Sequence, residues 1–150
     1  MNADALPEVT IKRTFNAPRA KVFQAWVDPK QMAQWFGPKG FVNPVCELDV
    51  RPGGKLKIHM RGPDGTIYPC HGTFHEIVES ERLVFTSQAI DDDGTVLIEA
   101  LNTVTFADAG GQTALTVHAR VVKVTGLGAQ YVKGMNQGWG QSLDKLEALL

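Results

Sequence analysis

The sequence is short of cysteine, of long apolar runs and of net charge, and each shortage excludes something. It has two cysteines in 150 residues, and its 15 Lys/Arg stand against 16 Asp/Glu. Cys46 and Cys70 show no CxxC spacing and no neighbouring Cys/His cluster, which excludes a disulfide framework and a zinc module. No apolar run approaches the roughly 18 residues of a membrane-spanning helix. Met1–Ala5 has neither the basic nor the apolar part of a secretory signal. These features point to a cytoplasmic protein with reduced thiols. A near-neutral balance is not that of a nucleic-acid binder, which is usually strongly basic. GxSxG, P-loop and dinucleotide fingerprints are also missing. No acid, base and nucleophile fall at legible positions, so the catalytic residues are unknown and no cofactor is indicated.

What is present is a globular composition, 43% hydrophobic and 21% charged. Its length suits one domain over 1–150, with 1–7 as a flexible leader. Charge is uneven: residues 1–61 hold ten Lys/Arg against five Asp/Glu, and residues 62–150 hold five against eleven. Two solvated faces account for this, and a homodimer is the alternative it allows.

Val9, Ile11 and Phe15 alternate in a half-buried strand. Pro18, a favoured first helical residue, opens a short helix over 18–27, and Asp28-Pro29 caps a second one through Trp35. Period-two patterning then runs from 42 to 122. It gives strands at Val45–Val50, 55–61, Ile67–Val78 with a bulge near Glu76, 83–87, Val96–Phe106 and Thr113–Val122. Glycine-rich turns separate most of them. Val132, Met135, Trp139, Leu143, Leu146 and Leu150 recur at helical spacing, so a long helix runs from Leu127 to the end, opened by Gly126 and Gly128. The order implies an α+β fold: six or seven antiparallel strands curved around the one helix long enough to cover them.

Five stretches, in order, carry a resemblance over residues 13–143. They are Arg13-Thr-Phe-Asn-Ala-Pro-Arg; Trp35-Phe-Gly-Pro; Asp49-Val-Arg-Pro-Gly-Gly; Pro63-Asp-Gly with Gly72-Thr-Phe-His-Glu-Ile and Glu81-Arg-Leu-Val-Phe-Thr; and Asn136-Gln-Gly-Trp-Gly-Gln-Ser-Leu. The chain resembles the START-like (helix-grip, SRPBCC) superfamily. More narrowly, it is similar to homologues of the activator of heat-shock-protein-90 ATPase. The resemblance implies a cavity between sheet and helix in which relatives bind lipids, sterols or polyketides, and in which some cyclise or hydrolyse them. It implies no shared catalytic set. The co-chaperone itself carries a further N-terminal domain, whereas this sequence starts its first strand near residue 8. That places ligand binding ahead of chaperone partnership.

Strand parity puts Leu56, Ile58, Met60, Tyr68, Cys70, Gly72, Phe74, Leu83, Phe85 and Ser87 on the inner face. Asn102, Val104, Phe106, Leu115, Val117 and Ala119 join them, facing Met135, Trp139 and Leu143. Pockets combine apolar walls with a few polar groups. The ligand-binding candidates are therefore Met60, Tyr68, Phe74, Phe85, Asn102, Met135, Gly138 and Trp139, with Trp35 and Phe36 at an entrance. Gly134 and Gly138 lie four apart beside Met135 and Trp139, a stripe without side chains that leaves room next to the helix. Gly140 is the third glycine inside the helix. Cys70 beside His71 is a small buried hydrophobe, because neighbours on a strand point to opposite faces. His71 and His75 are roughly 13 Å apart on a strand, too far to share an ion, so no metal site is expected. Lys55, Lys57, His59 and Arg61 form an outer-face stripe, and Asp49 with Arg51 makes a strand-end salt bridge.

Overall fold

The computed structural model describes residues 6–91, 93–125 and 129–150, with side chains for all of these except 129–131 and 133. The expectations for the leader 1–5 and for helix initiation at Gly126 to Gly128 lie outside the described residues. The elements in order are β1 (Glu8–Phe15), α1 (Arg19–Val27), α2 (Pro29–Trp35), β2 (Val42–Leu48), β3 (Lys55–Arg61), β4 (Ile67–Val78), β5 (Arg82–Ile90), β6 (Val96–Ala109), β7 (Gln112–Val124) and α3 (Ala129–Leu149).

All seven strands form one antiparallel sheet in the order β1-β7-β6-β5-β4-β3-β2. β2 to β7 are a meander of hairpins. β1 joins β7 at the far edge, and α1 and α2 carry the chain across to β2. The fold is the expected curved sheet and long C-terminal helix. Burial alternates along β7, where Thr113, Leu115, Val117, Ala119 and Val121 are buried. α3 crosses this face, with Leu143 and Leu146 buried.

Local chemistry sets the boundaries. The Asp28 carboxylate accepts the Lys30 backbone N–H and the Gln31 amide, both at 3.0 Å, and caps α2. Those bonds, the Gln31 one foremost, hold its carboxyl below the ordinary range. Pro18 is the N-cap of α1 rather than its first residue: its backbone is extended (φ −69°, ψ 155°), and its carbonyl accepts from Val22. β2 starts at Val42, three residues earlier than the pattern suggests, and stops at Leu48. Its register breaks between Val42 and Val45, around Pro44. Proline lacks a ladder donor, and the edge position of β2 tolerates that. β5 to β7 outrun their expected ends, because periodicity fades where a strand leaves the core. The bulge near Glu76 is present between Phe74 and Glu76. Asp49 and Arg51 form an exposed pair at 2.8 Å.

Candidate functional site

The ladder sorts inner-face residues into rows by size. One row runs Phe74, Phe85, Asn102, Ala119. The next runs Leu56, Gly72, Ser87, Ala100, Val121, and the one after Ile58, Cys70, Ala89, Ile98. The first row meets the aromatic core. Phe74 and Phe85 pack together at 6.1 Å, and both are buried. The other two rows carry Gly, Ser, Cys and Ala at their centres. Small side chains there leave a space that α3 does not fill.

That space is a cavity of about 670 Å³, within the usual range for small-molecule sites. Its floor includes Cys70, Ser87, Ala89, Ala100 and Asn102. Leu97, Ile98 and Ile90 wall one side, and Met60, Tyr68 and Ile67 another. Gly134, Met135, Gly138, Trp139 and Ser142 of α3 cover it, and Phe36, Gly37, Pro38 and Phe41 close its rim. Asp91, from the β5–β6 turn, is the one ionisable carboxylate, and no lysine, arginine or histidine lines the cavity among the described residues.

Of the ten sequence candidates, Phe36, Met60, Tyr68, Asn102, Met135, Gly138 and Trp139 converge on this cavity. Trp35, Phe74 and Phe85 do not, and their placement is a correction. Phe74 and Phe85 have the right parity but sit at the aromatic end of the sheet. Trp35 is fully buried against Trp26, with ring centroids 4.6 Å apart, and its Nε1 donates to the Ala25 carbonyl at 3.0 Å. It joins α2 to α1 rather than framing an entrance. Gly134 and Gly138 both line the cavity. A Cβ at Gly134 would meet nothing within 4 Å, and one at Gly138 would meet only Pro38 at 3.8 Å. Gly140 turns to β1 instead, where its carbonyl accepts from Arg13.

Sequence reasoning missed the clamp that fixes the rim. Ser142 Oγ accepts from Gly37 N at 3.0 Å and lies 2.9 Å from the carbonyls of Gly37 and Gly138. The Lys39 N–H donates to Gln141 Oε1, and Lys145 Nζ reaches the carbonyls of Pro38 and Phe41. Desolvation lowers the Lys145 pKa. Gly37 has φ +100°, and a Cβ there would stand 3.0 Å from Met60 Sδ, so backbone conformation and packing both call for glycine. The Trp35-Phe-Gly-Pro and Gly-Trp-Gly-Gln-Ser-Leu stretches are therefore two halves of one contact. Trp139 completes it, stacked on Trp26 at 5.8 Å and edge-on to Phe36 at 6.1 Å. The readable signal was the co-occurrence of the two stretches. The small residues at 70, 87, 89 and 100 were the signal for the floor.

Asn102 is 1% exposed. Its Nδ2 donates to Ser87 Oγ at 2.9 Å and to the Phe85 carbonyl at 3.3 Å. Its Oδ1 is buried without a partner among the described residues. Burial pushes the Cys70 thiol up to about 12, so it is no nucleophile at neutral pH. Cys46 is raised to about 11, by burial first and then by Asp28 and Glu47. No three His, Cys, Asp or Glu converge on a metal position among the described residues.

On the outer face His59 and His71 stack at 5.7 Å, with their Nε2 atoms 3.4 Å apart. Desolvation, then His59 and Lys57, lower the His71 pKa below its ordinary value near 6.5. Unfolding restores the ordinary value, so between the two pKa values the unfolded chain binds more protons and stability falls as pH falls. The affected carboxylates, including Asp28 and Glu76, titrate lower. Thermal unfolding from pH 7 to 5.5 is expected to show a falling midpoint in the wild type and a smaller fall in His71→Gln. Equal slopes would remove His71 as the cause.

The family described as Activator of Hsp90 ATPase homolog 1-like protein matches residues 16–150. No curated protein matches the chain. Among solved structures, protein Ms6760 from Mycobacterium smegmatis is similar at 27% identity and TM-score 0.82, covering 99% of this chain and 93% of that one. A protein from Arthrobacter aurescens, solved by solution NMR, is 25% identical with TM-score 0.85, covering 99% and 87%. Protein NE0264 from Nitrosomonas europaea, at 24% identity and TM-score 0.81 over 100% and 96%, shares the fold. With its strand order, its helix and nearly its whole length accounted for, the chain belongs to the Activator of Hsp90 ATPase homolog 1-like family.

Proposed function

We propose that this protein binds a hydrophobic or amphipathic small molecule, of lipid, sterol or polyketide character, between sheet and α3 without transforming it. The cavity carries this reading: about 670 Å³, floored by small residues, walled by apolar ones and free of lysine, arginine and histidine among the described lining residues. A cyclase or hydrolase would need a proton donor and acceptor placed on the substrate. Among the described lining residues only Tyr68 and the turn residue Asp91 are of that kind; the other polar groups, Thr66, Ser87, Asn102 and Ser142, are neutral, and Cys70 is held as a neutral thiol. A cytoplasmic setting belongs to the same reading and is supported by the two free cysteines. No helix among the described residues is long and apolar enough to cross a membrane. The family's description favours a second reading, a chaperone-type protein partner.

Native mass spectrometry of the protein as isolated, with thermal shifts across lipids, sterols and aromatic polyketides, separates the two. A ligand at 100 times its Kd adds about 2.7 kcal/mol to stability. Met135→Trp places an indole ring in the cavity and is expected to abolish these shifts while the fold persists. If no compound shifts the wild type, the cavity reading fails. If a chaperone pull-down survives Met135→Trp, the partner reading stands by itself.

A further inference from the structure

We infer that Asn102 selects the ligand: the cavity takes a neutral molecule carrying a hydroxyl or N–H donor that reaches Asn102 Oδ1. This rests on the cavity being a binding site and names the chemistry it accepts. The orientation of the amide follows from its neighbours. The Phe85 carbonyl, 3.3 Å from Nδ2, can only accept, so that side of the Asn102 amide must be the NH2 group. A flipped amide would set two carbonyl oxygens against each other. Ser87 Oγ takes the second N–H. Both donors are thus committed, and the one group left over is an acceptor, Oδ1, buried without a partner among the described residues, on a residue that lines the cavity.

A buried acceptor without a partner is uncommon and unfavourable. A ligand donor relieves it, and an ether or ester oxygen at the same place repels it. A carboxylate or phosphate is repelled more strongly, because no described cation lines the cavity to offset it. The position is also favourable for discrimination. Asn102 lies on β6, between Phe85 of β5 and Ala119 of β7 in the ladder, and its amide is held by Ser87 and the Phe85 carbonyl. Sites that hydrogen-bond a ligand OH or NH reject analogues lacking it far more strongly than apolar pockets reject a missing methylene.

The test uses two fluorescent probes of nearly equal shape, 2-naphthol and 2-methoxynaphthalene, titrated into the full chain. The wild type is expected to bind 2-naphthol about tenfold or more tighter. In Asn102→Leu the ratio is expected to fall to near one, with 2-methoxynaphthalene binding retained. Circular dichroism checks that the variant folds. If it does not, the wild type still decides: with asparagine 13C/15N-labelled protein, 2-naphthol should move the Asn102 side-chain carbonyl resonance and 2-methoxynaphthalene should not. Equal affinity of both probes for the wild type, or equal resonance shifts, overturns the role of Asn102 and leaves the cavity reading standing. Failure of both probes to bind overturns the cavity reading and this inference with it.

Discussion

Gly72→Ala is expected to destabilise the fold by more than about 3 kcal/mol, at the severe end for one added methyl. A Cβ at Gly72 would lie 1.9 Å from the Thr86 carbonyl oxygen and 2.9 Å from its carbon. Both atoms are backbone, so no side chain can turn away to make room. Gly72 pairs with Ser87 just before the β4 bulge, where the sheet bends. Glycine in a strand interior often marks such a close backbone approach. Relief would require parting β4 from β5 in the middle of the sheet, losing ladder bonds on either side. Urea unfolding measures the effect. A loss below 1 kcal/mol would mean that β4 and β5 move apart freely at this point.

Trp35→Ala is expected to cost about 3–5 kcal/mol, the range for a large buried aromatic. Trp35 is fully buried, packs edge-on to Trp26 at 4.6 Å and to Phe36 at 6.0 Å, and donates to the Ala25 carbonyl. Truncation leaves a void between α1 and α2. Trp35→Phe keeps most of the ring packing and loses the hydrogen bond, so its loss should be smaller, about 1–2 kcal/mol. Denaturant midpoints for the pair measure this directly. Because Trp35 does not line the cavity, Trp35→Phe should leave probe affinity unchanged. A changed affinity with unchanged stability would return Trp35 to the site.

Much of the site was legible because parity is a strong constraint. A strand residue on the wrong face reverses its burial, and Met60, Tyr68 and Asn102 followed from alternation alone. Helical spacing placed Met135 and Trp139 on the face toward the sheet in the same way. Phe74 and Phe85 show the limit. They obey the same alternation, but alternation assigns a face and is silent about position along it. Ser142 was illegible for a related reason. Its partner Gly37 is 105 residues away, and a serine in a helix carries no mark of the backbone it will meet.

Local pattern therefore determined the elements, the sheet's inner face, the covering helix and the family resemblance. Each of these depends on residues within a few positions of one another or on motifs read in order. Only the tertiary structure decided where the cavity lies, which aromatics became core, and how Ser142, Gln141 and Lys145 tie α3 to the rim. Those outcomes depend on register between strands and on side-chain volumes summed across rows. The row Gly72, Ser87, Ala100 exists only after three strands have paired. Asn102 belongs to both levels. Alternation turned it inward, and its bonds to Phe85 and Ser87 occupied its donors and left its oxygen without a partner among the described residues.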